Sequence, residues 1–348
     1  MVGEGRQRKT HEVYPNAGFS PLRSAGSQWF LQHVRNESRR FSLFVTVTMS
    51  DAPKSPPAVL VFSATDPSGG AGLQADLLTL ASMGCHPLSV VTAITIQDTR
   101  GVEGIQSIDS DWVADQARAI LEDVPIAAFK LGVMGSVENI AVIAEIVSDY
   151  PEIPLVLDPV IASARGDEFA GEEALEAIRE MLIPQTTVIT PNTPELLRLV
   201  GEEEEARVSQ ERLARRLLDM GAEYILVTGT HDSTLDVANN LYGDRGLIRA
   251  DRWTRLPASY HGSGCTLASA LAATIARGFD IEEAAREAQD YTWHTLQAGF
   301  RPGMGQFIPD RMFWARDEAD PADESSDATR DADADVPPIM GAPVTRLQ

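Results

Sequence analysis

Residues 58–76 read AVLVFSATDPSGGAGLQAD and contain, in order, an apolar run, a glycine-rich turn and the start of an amphipathic stretch. A continuously apolar run such as Ala58–Ser63 is typical of a strand that is covered on both faces. Glycines directly after a strand let the backbone approach a ligand closely. Their spacing is not that of a dinucleotide-binding fingerprint, and no Gly-Lys-Ser/Thr phosphate loop occurs in the chain. A tight strand–helix connection that needs small residues is the alternative interpretation of this turn.

The same alternation continues along the chain. Five further runs have the same strand-like character: Ser89–Gln97, Ala127–Met134, Leu155–Val160, Val188–Pro191 and Tyr224–Gly229. Helical stretches are expected at 70–83, 111–122, 137–149, 172–182, 194–200, 209–220, 264–278 and 281–299, with a weaker β-like segment at 239–256. This order predicts an α/β fold of three layers, with a mostly parallel central sheet and helices on both faces. Ligands of such sheets bind beyond the carboxyl ends of the strands, where the unusual residues of this chain lie.

The composition excludes some classes of partner. Acidic residues outnumber basic ones 51 to 29, and the net charge is -22. A nucleic-acid-binding surface needs clustered Lys and Arg, so we expect no nucleic acid. No apolar run of about 18 residues occurs, so we expect no membrane partner. The only lysines are Lys9, Lys54 and Lys130. An acidic, lysine-poor surface is typical of a halophilic protein, the alternative being an ordinary acidic cytosolic one.

The two cysteines, Cys85 and Cys265, are too few and too widely spaced for a disulfide framework or a zinc site. A reducing, cytoplasmic location is therefore expected. Cys85 follows an amphipathic stretch and is predicted to lie in the core.

The two ends of the chain differ from its middle. Residues 1–48 carry seven basic and three acidic side chains and show no helical or strand period. We expect 1–56 to be a disordered or wrongly assigned extension, with Met49 as the true start. Residues 315–348 are rich in Asp, Glu, Ala and Pro and are expected to form an acidic disordered tail. A single folded domain is then expected over 57–314.

Polar residues follow two neighbouring strand-like runs. Asp158 ends one run, and Asn192 and Glu195 follow the next. Asn192 is also predicted to cap a helix that starts at Pro194, with Glu195 in its first turn. Carboxylates at adjacent strand ends suit magnesium, which takes one or two of them together with water. Helix capping alone is the alternative interpretation.

The segment 261–270, HGSGCTLASA, leads from small residues into a helical stretch. Free backbone N–H groups at a helix N-terminus bind anions, and the helix dipole adds to the effect. The same position is expected to lower the pKa of Cys265. A helix start with a buried, inert cysteine is the alternative.

Together these motifs resemble the hydroxymethylpyrimidine and phosphomethylpyrimidine kinases of thiamine biosynthesis, members of the ribokinase-like superfamily. The segments that carry the resemblance are 66–76, 92–99, 130–134, 157–160, 190–195, 261–266 and 302–305. They occur in family order across residues 57–314. The resemblance implies a ribokinase-like fold. It also implies ATP-dependent phosphorylation of 4-amino-5-hydroxymethyl-2-methylpyrimidine, and then of its monophosphate to the diphosphate.

The resemblance also implies roles for individual residues. Gln97 should hydrogen-bond the aminopyrimidine, in a pocket with Asp66, Gly70, Ala71 and Val133. The implied metal ligands for Mg2+ are Asp158 and Glu195, and the implied nucleotide contacts are Asn192, Thr228 and Gly229. Backbone amides of Gly262, Ser263 and Gly264 should stabilise the transferring phosphoryl group, with Cys265 as the candidate that activates the substrate. We also expect a homodimer.

Three residues depart from the family pattern. Ala64 stands where the family more often has Gly, and Val133 where a Met often contacts the pyrimidine. Thr228 replaces a typical Lys and cannot supply positive charge to the phosphates. More metal, potassium (K+) or an arginine elsewhere would have to compensate. A pyridoxal kinase and, on the same fold, an inactive pyrimidine sensor remain alternative functions.

Overall fold

The computed structural model describes residues 55–161, 171–202, 208–229 and 235–316. The expected extension at 1–56, with its start at Met49, lies outside these residues except for 55–56. The expected tail at 315–348 lies outside them except for 315–316. Among the described residues, no helix is long and apolar enough to cross a bilayer.

Ten strands form one large sheet and a separate hairpin. They are β1 (Ala58–Ser63), β2 (His86–Val91), β3 (Ala93–Gln97), β4 (Val102–Ser107), β5 (Ile126–Leu131), β6 (Leu155–Leu157), β7 (Val188–Ile189), β8 (Tyr224–Val227), β9 (Asp236–Gly243) and β10 (Gly246–Thr254). The order in the large sheet is β10-β9-β8-β7-β6-β5-β1-β2, and β9 is antiparallel to both neighbours while all other pairs are parallel. The predicted mostly parallel α/β sheet is confirmed.

The described residues also form eight α-helices, the last two of which follow β10: α1 (Gly72–Ser82), α2 (Ser110–Leu121), α3 (Val137–Ser148), α4 (Glu172–Ala177), α5 (Thr193–Leu199), α6 (Gln210–Asp219), α7 (Ser263–Ala276) and α8 (Ile281–Gln297). Several begin at a side chain that accepts a hydrogen bond from the first turn. Asp109, Ser136, Ser209 and Asp280 cap α2, α3, α6 and α8 in this way.

Strand β1 shows why the fold has three layers. All six of its residues are buried, and successive side chains point to opposite faces of the sheet. Val59 and Val61 join a core built with α1, α7 and α8. Leu60 and Phe62 join a second core built with α2 to α6. Helices therefore cover both faces, as predicted.

One sequence-based element assignment was wrong, and one strand was missed. The run Ser89–Gln97 is not one strand, because the chain leaves the large sheet at Thr92 and continues as β3 of the hairpin. Thr92 donates its hydroxyl to the carbonyl oxygen of Val133 at 2.6 Å. Strand β4 was missed because its apolar residues, Val102 and Ile105, stand among polar residues and a glycine, and none of its residues is buried. The helical stretch expected at 172–182 is confirmed, with α4 ending at Ala177 and a π-helical segment, Ile178–Leu182, continuing it.

Candidate active site

The carboxyl ends of five parallel strands bring the predicted site residues to one edge of the sheet. Asp66 follows β1, Val133 follows β5, Asp158 follows β6, Asn192 follows β7 and Thr228 follows β8. Because these strands are neighbours in that order, the five residues are arranged in the same order along the edge.

Helix α7 begins at the centre of this edge, where it packs against β5 and β6. Its N-cap, Gly262, has a φ of 84°, in the left-handed region. A Cβ at Gly262 would collide with the carbonyl oxygen of Gly70, so the two glycine turns touch backbone to backbone. A Cβ at Gly264 would lie 4.0 Å from Asp158 Oδ1. The first N–H groups of α7 lack helical partners and form an anion site beside Asp158.

Asp66 organises the glycine-rich turn from the inside. Its Oδ1 accepts hydrogen bonds from the Ser68 backbone N–H at 2.9 Å and hydroxyl at 2.7 Å, and its Oδ2 accepts from the Ala71 N–H at 2.7 Å. Burial raises the pKa of the Asp66 carboxyl, but hydrogen bonds from His261, Ser68 and Ala71 outweigh it and hold the pKa below its ordinary value. Asp66 therefore stays ionised and shapes the turn.

The side chain of Arg311 links the Gly69–Gly70 turn to the first turn of α7. This buried guanidinium donates to the carbonyl oxygens of Gly69 and Gly70 and to the hydroxyl of Thr266 in α7. Burial lowers the pKa of Arg311 from its ordinary value, but a guanidinium stays charged at neutral pH. Its positive charge therefore lies directly behind the anion site.

The thiol of Cys265 lies between the start of α1 and Asp158. Burial and the charge of Asp158 raise the pKa of Cys265 to about 12, although the Lys130 ammonium opposes them. The predicted lowering of this pKa is therefore wrong, because burial and a nearby carboxylate outweigh the helix N-terminus.

A buried ion network lies under the anion site. Lys130 Nζ is 2.9 Å from Asp76 Oδ1 and 3.7 Å from Asp158 Oδ2, and Ser269 Oγ donates to Asp76 Oδ1 at 2.7 Å. Burial is the largest single effect and would lower the pKa of Lys130, but the nearby acidic groups, Asp76 first among them, together outweigh burial and raise the pKa. The ammonium therefore stays charged and stabilises both carboxylates.

Asn192 and Glu195 form a capping box at the start of α5. Asn192 Oδ1 accepts from the Glu195 N–H at 2.9 Å, and Glu195 Oε2 accepts from the Asn192 N–H at 2.9 Å. The predicted helix cap is confirmed. Burial and the charge of Asp158 raise the pKa of Glu195 to about 8, against hydrogen bonds from the N–H groups of Asn192 and Ile161.

The pair Asp158 and Glu195 has the character of a site for a hard cation. Burial raises the pKa of Asp158 despite the Lys130 charge, and its Oδ2 is a buried atom without a hydrogen-bond partner among the described residues. No group of three or more His, Cys, Asp or Glu side chains suited to a metal exists in the described part of the chain. This sparse donor set fits magnesium, which completes its shell with water and phosphate oxygens.

Thr228 and Gly229 lie next to the capping box. Thr228 forms a parallel bridge with Asn192, and its N–H donates to the carbonyl oxygen of Pro191 at 2.9 Å. The Gly229 carbonyl oxygen accepts a hydrogen bond from the guanidinium of Arg255 at 3.2 Å. An arginine therefore stands at the strand end where Thr228 brings no positive charge.

Gln97, the last residue of β3, lines a cleft of about 520 Å³. The hairpin and the loop near residue 303 form its walls, with Pro67, Ser68, Thr99 and Gly303 among the lining residues. Behind Gln97, His261 Nε2 lies 2.8 Å from the Gln97 amide and 2.8 Å from Asp66 Oδ2. Val133 is not among the residues that line this cleft.

Glycine at position 70 allows the His261 ring to lie here, because a Cβ on Gly70 would collide with the imidazole. Ala71 contributes its backbone N–H to Asp66 and begins α1 as its N-cap. Both residues therefore shape the turn that lies against His261 and Asp66.

Sequence reasoning assigned no role to His261, Arg311 or Lys130, although all three lie within the site. His261 stands directly before the Gly-x-Gly turn, and Lys130 is the one lysine within an apolar run. A charged residue inside a predicted buried strand is a usable signal, since such a group needs a buried partner. Arg311 lies far along the chain from the residues that it contacts, and no local pattern marks it.

Comparison with known proteins gives a consistent result. The family model described as phosphomethylpyrimidine kinase matches residues 66–310. A hydroxymethylpyrimidine/phosphomethylpyrimidine kinase of Streptomyces coelicolor is 36% identical over 267 residues, which cover 74% of this chain and 96% of the relative. The enzyme of the same name from Escherichia coli is 36% identical over 234 residues, with coverages of 67% and 88%.

Solved structures agree with this result. A phosphomethylpyrimidine kinase from Clostridium difficile has a TM-score of 0.60 at 33% identity, with 68% of this chain and 97% of that chain covered. An ADP complex of Bacillus subtilis pyridoxal kinase has a TM-score of 0.68 at 26% identity, with coverages of 75% and 99%.

Proposed function

The chain belongs to the phosphomethylpyrimidine kinase family, and we propose that it transfers phosphate from ATP to 4-amino-5-hydroxymethyl-2-methylpyrimidine and then to the monophosphate, for thiamine diphosphate synthesis. The observation that carries this proposal is that the glycine-rich turn after β1 adjoins two features, the start of α7 through Gly70 and the Gln97 cleft through Pro67 and Ser68. The start of α7 offers an anion site beside Asp158.

In this proposal the start of α7 stabilises the phosphoryl group during its transfer. Phosphoryl transfer has a loose transition state, so positioning and charge stabilisation dominate catalysis. The N–H groups of Gly262, Ser263 and Gly264 supply hydrogen-bond donors, and Arg311 adds positive charge from behind. None of these groups needs to move a proton.

Cys265 then acts as a hydrogen-bond donor rather than as a thiolate base. Its raised pKa of about 12 keeps it protonated at neutral pH. Its S–H group lies between the start of α1 and Asp158 and keeps its hydrogen for donation to a substrate oxygen. The second phosphorylation suits such a site, because the attacking phosphate oxygen is already ionised and needs no strong base. One site can therefore serve both steps.

Magnesium is the proposed metal, held by Asp158 and Glu195. It would neutralise the nucleotide phosphates and satisfy the unpartnered Asp158 Oδ2. Potassium remains a further candidate for the phosphate side, with no contact among the described residues that favours it over magnesium.

The nucleotide is proposed to lie along the ends of β7 and β8, with Asn192, Thr228 and Gly229 at its phosphates. We assign to Arg255 the positive charge that Thr228 cannot supply. Replacement of Arg255 by Gln is expected to raise the KM for ATP about tenfold, the loss of one charge-assisted hydrogen bond, while the pyrimidine KM stays unchanged. Arg252→Gln, at an exposed position of β10 just before Arg255, is the matched control. An equal effect of both substitutions would contradict the assignment.

A homodimer, a cytoplasmic location and a salt-adapted surface are also proposed. The hairpin exposes Ile94 and Ile96 on one face, a suitable apolar surface for a second copy. The free cysteines Cys85 and Cys265 suit a reducing compartment. The net charge of -22 suits high salt. Light scattering in low and high potassium chloride would test assembly and salt dependence together.

Pyridoxal phosphorylation is the second candidate, favoured by the structural likeness to pyridoxal kinases. Purified protein should be assayed with ATP and magnesium in potassium chloride, with the aminopyrimidine and pyridoxal as separate substrates. The proposal predicts a kcat/KM for the pyrimidine well above that for pyridoxal. Robust turnover of pyridoxal with none of the pyrimidine would contradict it, and turnover of neither would favour an inactive sensor.

A further inference from the structure

Four side chains form a cluster behind the cleft: Gln97, His261, Asp66 and Thr95. His261 Nε2 lies 2.8 Å from Asp66 Oδ2 and 2.8 Å from one end of the Gln97 amide. The other end of the amide lies 3.3 Å from Thr95 Oγ1. The Thr95 hydroxyl also lies 2.8 Å from the carbonyl oxygen of Thr65. The two ends of an amide can be told apart only by the partners that they face.

The single hydrogen that His261 Nε2 can carry allows only one orientation of the Gln97 amide. Nε2 carries at most one hydrogen. Asp66 is ionised, because its hydrogen bonds keep its pKa below the ordinary value, and it can therefore only accept. The Nε2 hydrogen must then be donated toward Asp66 Oδ2. An NH2 group of Gln97 at 2.8 Å would face an N–H, so the end of the amide near His261 is the carbonyl oxygen, which shares this hydrogen.

Thr95 leads to the same orientation independently. A threonine hydroxyl has a single hydrogen, and that of Thr95 is donated to the carbonyl oxygen of Thr65. Toward Gln97 the hydroxyl oxygen can therefore only accept. The end of the amide that faces Thr95 must be the NH2 group.

We propose that His261, held by Asp66, is a positioning residue that acts with Thr95 to fix the Gln97 amide in one orientation and thereby selects the substrate ring. These internal bonds use one carbonyl lone pair and one N–H of Gln97. One lone pair and one N–H remain for the cleft. They complement a ring nitrogen beside an exocyclic amine, the edge that a 4-aminopyrimidine presents and a pyridoxal ring lacks.

The identity of the ring rests on the proposed function, whereas the orientation of the amide does not. Steady-state kinetics test the identity of the ring. His261→Ala is expected to raise the pyrimidine KM about tenfold, the loss of roughly 1.4 kcal/mol of oriented hydrogen bonding, with kcat and the KM for ATP within about threefold of wild type. His261→Gln, which keeps an N–H donor on a side chain of similar reach, should recover part of this loss. Gln97→Glu keeps an oxygen toward His261 but loses the N–H, and should raise the pyrimidine KM at least as much.

His294→Gln, on α8, is the matched control and should change neither constant. The inference is overturned if His261→Ala lowers kcat alone, or if His261→Gln and His261→Ala are equally impaired in pyrimidine KM. An inactive wild-type protein would instead refute the proposed function.

The orientation is tested without turnover by nitrogen NMR of the full-length protein. The His261 imidazole is identified as the signal that the His261→Gln variant lacks. The proposed arrangement requires a hydrogen on Nε2 at pH 7.5. An Nε2 that is unprotonated at this pH would overturn the inference, whatever the outcome of the kinetics.

Discussion

The phosphate end of the site (Gly262 to Cys265 with Asp76, Lys130 and Asp158) and its pyrimidine end (Gln97 with Thr95, His261 and the β3–β4 hairpin) are built in different ways. The phosphate end consists of backbone contacts and buried charges, and it forms part of the core between the sheet and α7. The pyrimidine end consists of side-chain hydrogen bonds on a hairpin outside the large sheet, held through His261 by the ionised Asp66. Substitutions at the phosphate end should therefore cause large losses of activity or stability. Substitutions at the pyrimidine end should cause smaller, graded losses.

The backbone contact at Gly262 should be the most sensitive point of the phosphate end. Gly262→Ala forces a Cβ against the Gly70 carbonyl oxygen and should lower kcat/KM roughly 1,000-fold, as the loss of preorganised oxyanion donors does elsewhere. Steady-state kinetics on folded protein measure this. Gly278→Ala, just beyond the other end of α7, has a φ of 90° but no atom within 4 Å of the new Cβ. It should cost about 1 kcal/mol of stability and leave kcat unchanged. A kcat/KM of Gly262→Ala within tenfold of the wild-type value would contradict the expected difference between the phosphate end and the pyrimidine end.

The chemistry of Cys265 provides a pH-dependent test of the same end. With a pKa raised to about 12, only a trace of thiolate exists at pH 8 in metal-free protein. Alkylation by iodoacetamide should then be on the order of 1,000-fold slower than for an ordinary cysteine, and should rise steadily from pH 7 to 10. Mass spectrometry of a Cys85→Ala variant treated with EDTA isolates the site. A labelling rate that levels off below pH 9 would show a thiolate-prone cysteine and contradict the proposed donor role.

The free energy of unfolding should depend strongly on the buried ion pair between Lys130 and Asp76. Lys130→Met leaves the fully buried carboxylate of Asp76 without its cation and should cost about 3–5 kcal/mol in urea unfolding. The double variant Lys130→Met/Asp76→Asn should recover more than half of that loss, because the carboxylate nearest to Lys130 Nζ is then neutral and only Asp158, at 3.7 Å and with a raised pKa, has lost its cation. Arg118→Met, which breaks an exposed ion pair with Glu145, is the control and should cost less than about 1 kcal/mol. A small loss for Lys130→Met would mean that this end is not held by its charges.

The smallest effect is expected at the mouth of the pyrimidine end. Arg100 forms an exposed ion pair with Asp98 and lines the cleft. Arg100→Ala should change the free energy of unfolding by less than about 1 kcal/mol and the pyrimidine KM by less than about threefold. Thermal unfolding and kinetics measure both. A large drop in stability would show that the hairpin is as tightly coupled to the fold as α7 is.

The same contrast explains what sequence reasoning could reach. The unit from β1 to α1, the parallel sheet and the Asn192 cap were predictable, because each depends on residues close together in the chain. The pKa of Cys265 was not, because Asp158 lies more than 100 residues away in the chain. The hairpin was missed because β4 has no continuous apolar face to reveal it.

The contacts of His261 show which part of the site a local sequence motif cannot predict. It adjoins the Gly-x-Gly turn, yet its contacts are with Asp66 and Gln97, at the ends of two other strands. A helix N-terminus can be recognised locally, whereas the partners of a side chain depend on the assembled sheet. The helix start after Gly262 was therefore predictable, and the side-chain network around Gln97 was not.

The central claim is that one site carries out two successive phosphorylations of an aminopyrimidine. It is tested most directly by phosphorus NMR of the purified protein with ATP, magnesium and 4-amino-5-hydroxymethyl-2-methylpyrimidine. The account predicts a phosphomonoester signal that rises first and then gives way to a diphosphate, and a slower rate for both steps in Gly262→Ala. Pyridoxal phosphate formation with no pyrimidine product under the same conditions would contradict it.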